Sequence, residues 1–245
     1  MKILAKTDPG KIRTSNQDSY AAGELNGAPA AFAVVCDGMG GIGGANGGAV
    51  ASSIAVRSIS SRITDNFRPG MNESSIRNLL TGAIINANYE VYDKTKEMDE
   101  ISEMGTTVVA AIKTPDTIYV AHAGDSRAYL IGDTHIEQIT DDHSIVQALV
   151  DSGEISKEEA RKHPDKNCIT RALGMEEELK VDFNVVDVKE TDVLLICTDG
   201  LTNFVTDTEI LSVVRSGIYK DPTEALVELA NDHGGADNIT VVCIV

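Results

Sequence analysis

Four aspartates stand where apolar, strand-like runs of the sequence begin or end. Asp37, Asp125 and Asp199 each follow such a run, and Asp237 precedes one. Asp at a strand end is also a common turn residue, so any one of them alone is more simply explained as structural. Ionised carboxylates gathered at one end of a sheet repel each other and are costly to desolvate unless cations lie among them. Taken together, the four predict a cation site.

The side chains available to such a site are almost all oxygen donors. The four cysteines lack C-x-x-C spacing, which argues against zinc or redox chemistry and favours reduced, buried thiols. Carboxylate, carbonyl and water ligands suit hard ions, so Mg or Mn is favoured over Zn or Cu. Two such ions would activate a shared water for attack on a substrate.

The elements that must position these acids are short strands joined by tight turns. Apolar runs predict strands over residues 30–36, 106–112, 117–123, 127–131, 193–197 and 239–245. Turn residues at 116, 124–125 and 132–133 indicate successive hairpins, hence antiparallel sheet rather than a regular strand-helix-strand alternation.

Helical periodicity is clearest over residues 73–96, and further helices are predicted from about 47 to 63 and from Thr206 and Asp221 onward. Between residues 145 and 173 the chain becomes amphipathic and charged, which predicts a helical flap inserted between strands. Nothing in the sequence indicates a domain boundary, so we expect one domain over residues 1–245.

The composition narrows the possible partners. The chain has 245 residues, 42% of them hydrophobic, and a formal net charge of -17. This charge repels nucleic-acid phosphate and anionic lipid, so neither is an expected partner. No apolar run reaches the roughly 20 residues that span a bilayer, and we expect a cytoplasmic protein.

A series of short motifs runs through nearly the whole chain in a fixed order. They begin at Arg13, Asp37, Gly105, Gly124, Asp142, Thr170, Thr198 and Asp237, and read RTSNQD, DGMGG, GTT, GDSR, DHS, TRALG, TDGL and DN. In this order and spacing the sequence resembles the metal-dependent protein phosphatase family (protein phosphatase 2C-like), in its stand-alone bacterial form.

The resemblance implies an α+β fold in which two packed antiparallel β-sheets are flanked by α-helices on both sides, with the flap near the active site. It implies hydrolysis of phosphoserine and phosphothreonine by in-line attack of a water bridged by two Mn or Mg ions, without a phosphoenzyme. The expected partners are phosphorylated proteins, including a serine/threonine kinase and its substrates, and the expected state is a monomer.

The resemblance also assigns metal ligands. Asp37 is implied to bridge both ions, Asp199 and Asp237 to complete the first, and the Gly38 carbonyl to contact the second.

Three further residues take implied roles. Asp18 is implied to hold the waters of the second ion, and Asp125 a weaker third ion. Arg13 falls at the family's phosphate clamp, where a guanidinium fork suits phosphate oxygens.

The sequence departs from the family pattern in three places. Met39 stands where eukaryotic members often carry a histidine suggested to protonate the leaving group, and a thioether cannot donate that proton. Water on a metal, or His163 in the flap, is an alternative donor, although simple solvent exposure is the favoured interpretation of His163. Gln17 replaces a common Glu, which removes a charge near the second metal, and residues 42–48 form an unusually glycine-rich loop.

Three other functions compete with this interpretation. One is a catalytically weak regulatory or binding module on the same fold, and another is a phosphatase of small phosphometabolites. The third is nucleotide binding, because Gly38-x-Gly40-x-x-Gly43 formally fits a dinucleotide fingerprint. The predicted helix that follows, instead of a second strand ending in an acid, argues against it.

Overall fold

The computed structural model describes residues 1–40, 47–97 and 104–245. In chain order the strands are β1 (Ile3–Asp8), β2 (Asp18–Leu25), β3 (Ala30–Gly40), β4 (Met104–Thr106), β5 (Val108–Lys113), β6 (Thr117–Ala123), β7 (Arg127–Ile131), β8 (Ile136–Gln138), β9 (Asp182–Asp187), β10 (Val193–Cys197) and β11 (Ile239–Ile244). The helices are α1 (Gly47–Asn66), α2 (Glu73–Glu97), α3 (Ile145–Asp151), α4 (Lys157–Ala160), α5 (Asp199–Thr202), α6 (Asp207–Arg215) and α7 (Pro222–Asp232).

The strands form two antiparallel sheets. The first has the order β1-β11-β10-β7-β8, and the second has the order β2-β3-β5-β6-β9, with β4 pairing the far end of β3. The expected two-sheet α+β fold is therefore confirmed. The single strand predicted over residues 106–112 is two strands in the structure, β4 and β5. Thr107 separates them, because its backbone N–H donates to the Asp37 carbonyl.

Three apolar layers hold this arrangement together. The middle layer lies between the sheets and contains Val35, Val109, Ile196 and Val242. A second layer packs α1 and α2 on the second sheet, and a third packs α5, α6 and α7 on the first. Helices thus cover both outer faces, and the aspartates at strand ends meet at one edge of the sandwich.

The flap prediction corresponds to α3, α4 and the turns that follow them. Ser156 caps α4 and forms a reciprocal capping box with Glu159. Backbone hydrogen bonds from Ile145 to Cys168 and from Thr170 to His143 close the flap at its base. Cys36, Cys197 and Cys243 are buried as expected, whereas Cys168 is exposed because it lies in this surface flap.

None of the helices in the described ranges combines the length and the apolar character needed to cross a membrane. The glycine-rich loop predicted over 42–48 falls mostly outside the described residues.

Candidate active site

Strand pairing within the second sheet places Asp18 beside Asp37. Asp18 begins β2, Asp37 lies near the end of β3, and the two residues are directly opposite in the ladder. The Asp37 carbonyl accepts hydrogen bonds from the Thr106 hydroxyl and the Thr107 backbone N–H, both at 2.9 Å. The Thr107 hydroxyl in turn lies 3.0 Å from the Asp37 backbone nitrogen, which donates to it. The Gly-Thr-Thr motif therefore fixes the backbone that carries Asp37.

The first sheet supplies two more acids. Asp199 starts α5 directly after β10, and Asp237 immediately precedes the neighbouring strand β11. Asn203, one turn along α5, donates to Asp199 Oδ2 at 2.8 Å. The strands β10 and β11 pair antiparallel, so the end of β10 lies beside the start of β11. Asp199 and Asp237, which stand at these two strand ends, are therefore brought together.

Asp18 links the two sheets. Its Oδ2 accepts hydrogen bonds from the hydroxyls of Thr198, at 2.9 Å, and Thr240, at 2.7 Å, which flank Asp199 and Asp237 in the first sheet. Its Oδ1 is buried and has no hydrogen-bond partner in the described part of the chain. An orphaned buried carboxylate oxygen is costly, so this atom is suited to an additional ligand.

The carboxyl groups of these aspartates are buried close enough together to repel each other. Burial, followed by repulsion from Asp199 and Asp237, raises the pKa of Asp18 to about 7, although the two threonine hydroxyls oppose that shift. Burial also raises the pKa of Asp37, with repulsion from the other acids adding to it, and the pKa of Asp199, where repulsion from Asp237 adds and a hydrogen bond with Asp37 opposes the shift. A site that raises the pKa of neighbouring acids in this way is one that cations would stabilise.

Asp125 belongs to the same edge of the sandwich. It follows β6 after Gly124, whose positive φ of 114° is a conformation that favours glycine. Burial, followed by repulsion from Asp199 and Asp142, raises the pKa of Asp125 to about 8. Asp142 itself is held by Arg127, whose Nε and Nη2 donate to its two oxygens at 2.9 and 2.6 Å.

Two glycines of the site are required by close approach rather than by turn geometry. A Cβ on Gly38 would collide with the backbone carbonyls of Gly48 and Gln17, and one on Gly200 would collide with the carbonyl of Asn238. The Asp-Gly pairs thus mark places where another backbone segment presses against the strand end.

Arg13 extends from the loop between β1 and β2 to the acids. Its Nη2 donates to Asp237 Oδ2 at 2.9 Å, and about half of the side chain is exposed. The hydrogen bond and the charge of Asp237 raise the Arg13 pKa, and more distant Asp37 and Asp199 add to that effect. The predicted phosphate clamp is therefore in contact with a predicted metal ligand.

Asn238 is a site residue whose role the sequence analysis did not identify. Its Oδ1 accepts from the Gln17 backbone N–H at 2.7 Å, and its Nδ2 donates to the carbonyls of Pro9 and Ser15 at 2.9 Å. These bonds hold both ends of the loop that carries Arg13. The only sequence signal was the Asp-Asn pair itself, since the partners lie more than 220 residues away.

The donor set fits hard divalent cations in kind. All of the converging side chains offer oxygen, one of them has an unpartnered buried atom, and their mutual repulsion favours a cation. Across residues 1–40, 47–97 and 104–245, no three Asp, Glu, His or Cys side chains are already grouped tightly enough to hold an ion.

His163 and Gln17, named above as an alternative proton donor and as a departure from the family pattern, both make hydrogen bonds. His163 accepts a hydrogen bond from the Asp165 backbone within the flap, which agrees with a local structural role. Gln17 contributes its backbone, because its carbonyl accepts from the Gly38 N–H at 3.2 Å and from the Ser52 hydroxyl at 2.6 Å.

Comparisons with known proteins agree with this fold. A family model described as protein phosphatase 2C matches residues 11–228. The serine/threonine phosphatase stp of Listeria welshimeri is 38% identical over 240 residues, which cover 98% of this chain and 93% of the relative. The crystal structure of the serine/threonine phosphatase Stp1 from Staphylococcus aureus superposes with a TM-score of 0.90 at 34% identity, covering 99% of this chain and 93% of the other. A catalytic domain of the phosphatase PstP, solved with two manganese ions, gives a TM-score of 0.83 at 32% identity, covering 99% and 96%.

Proposed function

The chain belongs to the protein phosphatase 2C family and is a metal-dependent serine/threonine phosphatase, and we propose that the acids at the sandwich edge, together with Arg13, form its catalytic site. The observation that carries this proposal is the convergence of Asp18 and Asp37 from one sheet with Asp199 and Asp237 from the other. The raised pKa values of Asp18, Asp37 and Asp199 and the orphaned Asp18 oxygen support it.

Each acid has a proposed role. Asp37, central among the four, would contact both of two Mn or Mg ions, with Asp199 and Asp237 completing the first and the Gly38 carbonyl contacting the second. Asp18 lies deeper and is tied by two hydroxyls, which suits an indirect role through water. Asp125, further along the edge and close enough to repel Asp199, is proposed to serve a third, weaker ion.

The proposed reaction is direct hydrolysis of the phosphate ester, with no phosphoenzyme. When bound, divalent cations lower the pKa of water and offset negative charge on the phosphoryl group. Arg13, exposed at the edge and held by Asp237, would donate to phosphate oxygens and orient the ester. Met39 cannot supply a proton to the leaving oxygen, so that proton comes from solvent or water.

The substrates are phosphorylated proteins, as for the named protein phosphatases that this chain resembles. We propose that a serine/threonine kinase and its targets are among them, because such kinases make the phosphoesters that this enzyme cleaves. We also propose a single-domain monomer with a flap over residues 145–173, since one chain supplies every acid of the site. A cytoplasmic location agrees with four free cysteines, which reducing compartments preserve.

Hydrolysis of p-nitrophenyl phosphate and of a phosphothreonine peptide, with Mn, Mg or EDTA, tests the proposal. We expect Asp37→Asn and Asp199→Asn to lose activity by a factor of about a hundred or more, because each removes a carboxylate from the cation site. The matched control is Asp65→Asn, which makes the same change on the exposed face of α1 and should keep parental activity. Full activity in both site variants, folded as judged by circular dichroism, would contradict the proposed site.

A further inference from the structure

A pocket of about 410 Å³ opens beside the catalytic edge. Five apolar side chains, four charged ones and Thr170 line it. The apolar members are Met39, Ile169, Ala172, Met175 and Leu179, and the charged members are Arg171, Glu176, Glu178 and Lys180. The pocket therefore has an apolar part, here called its floor, and a charged part, here called its rim.

Backbone pairing fixes this pocket next to the acids. Met39 is two residues after Asp37 and lies opposite Gly105 in the β3-β4 ladder. A Cβ on Gly105 would stand 3.1 Å from the Met175 sulfur, so the two methionines flank one glycine. Leu173, two residues before Met175, exchanges both backbone hydrogen bonds with Thr106, at 2.8 and 3.1 Å. The pocket therefore adjoins the end of the strand that carries Asp37.

The four charged residues of the rim balance, but the neighbouring Asp182 adds a third carboxylate against the two cations. Arg171 and Lys180 both face Asp182, at 3.1 and 3.6 Å, so one carboxylate partly neutralises both cations. Glu176 and Glu178 are exposed, and within the described residues neither forms an ion pair. The uncompensated charge of the rim is therefore negative.

We propose that this pocket binds a lysine or arginine side chain of the phosphoprotein substrate, close in sequence to the phosphorylated residue. The floor would cover the aliphatic stem of that side chain, and Glu176 and Glu178 would bind its cationic head. Unbranched methionines adapt to stems of different shape. This inference rests on the proposed catalytic site and adds a preference among its protein substrates.

A positional scan tests the proposal. Phosphothreonine peptides in an alanine background carry a single Arg, Leu or Glu at each of the three positions on either side of the phosphothreonine. For each, kcat/KM is divided by the value for p-nitrophenyl phosphate. At one position we expect Arg to exceed Glu by about tenfold, mainly through KM, since two exposed ion pairs contribute up to about fivefold each. The double variant Glu176→Gln/Glu178→Gln should lose most of that preference.

Glu177→Gln is the matched control, because Glu177 lies between the two glutamates but does not line the pocket. It should keep the preference, whereas general attraction to a protein of net charge -17 would fall with the number of charges removed, so about half as much in Glu177→Gln as in the double variant. A flat scan, a best residue of Leu at the sensitive position, or a loss in Glu177→Gln at least half that of the double variant would each overturn the proposal. Failure of the parent to hydrolyse p-nitrophenyl phosphate would instead contradict the catalytic site.

Discussion

Arg13 donates a hydrogen bond to Asp237 at 2.9 Å across the catalytic edge, joining the proposed phosphate clamp to a proposed metal ligand. The pair is partly exposed, with 54% of the Arg13 side chain and 31% of the Asp237 side chain accessible. An exposed ion pair is weak, so a divalent cation can displace the guanidinium at small cost. Metal binding would then free Arg13 to meet the substrate phosphate.

Replacing Arg13 tests its role toward phosphate. We expect Arg13→Lys to lower kcat/KM for p-nitrophenyl phosphate by about tenfold, because an ammonium cannot form the two parallel hydrogen bonds of a guanidinium. Inhibition by inorganic phosphate should weaken in the same variant. Lys11→Ala, which removes a neighbouring exposed cation, is the control. An Arg13→Lys enzyme with parental phosphate inhibition would contradict the clamp.

The raised pKa of Asp18 predicts how the metal-free protein responds to pH. The pKa of Asp18 is about 7 in the folded protein against an ordinary 3.8, so the folded state holds this proton more tightly than the unfolded chain does. The free energy of unfolding should therefore fall as the pH rises from about 4 to 7, by on the order of 1 kcal/mol per pH unit at most.

Urea denaturation in EDTA at pH 5 and pH 8 measures this effect. Because other groups also titrate, the informative quantity is the difference between the parent and Asp18→Asn. The parent should lose more stability than the variant between the two pH values, and Mn should remove the difference. A parent that gains stability relative to Asp18→Asn at pH 8 in EDTA would refute the electrostatic account of the site.

Gly200→Ala tests whether the backbone of Asn238 lies too close to Gly200 to leave room for a side chain. The new methyl group would meet the Asn238 carbonyl, so we expect a loss of about 1–3 kcal/mol in the free energy of unfolding. Gly82→Ala is the opposite control, since Gly82 lies in α2 with open space around it. That change should raise stability by about 0.5–1 kcal/mol. Equal stabilisation by both substitutions would show that residue 200 has room for a side chain.

Asn238→Ala tests the loop that carries Arg13. The change removes hydrogen bonds to Gln17, Pro9 and Ser15 and leaves partly buried backbone groups unpaired, which costs about 1–3 kcal/mol for each such group. We expect lower thermal stability and a higher KM for p-nitrophenyl phosphate, because Arg13 is no longer positioned. If stability falls while KM and phosphate inhibition stay parental, Asn238 has no part in positioning Arg13.

Much of this site was predictable because its acids terminate strongly apolar strands. Asp37 and Asp199 follow fully buried runs, AAFAVVC and VLLIC, and Asp125 follows a mostly buried one, TIYVAHA. β1 and β9 were missed because none of their residues is fully buried, so their patterns are weak. β2 was missed because Gly23 and small residues interrupt it.

The supporting contacts could not be predicted, since they depend on how the sheets stack. Thr198 and Thr240 lie 180 and 222 residues from Asp18, and no local pattern indicates that their hydroxyls meet its carboxylate. The hydrogen bonds between Asn238 and the loop that carries Arg13 are equally invisible to local sequence patterns. Sequence spacing predicts which strand ends carry acids, whereas register and packing decide which polar neighbours hold them.

The central claim is that Asp37 is shared by two bound cations. Calorimetric titration of Mn into EDTA-stripped protein measures this directly, without relying on turnover. We expect about two sites in the parent and in Asp65→Asn, and a loss of both in Asp37→Asn, because a bridging carboxylate serves each ion. Two undiminished sites in folded Asp37→Asn would contradict the account.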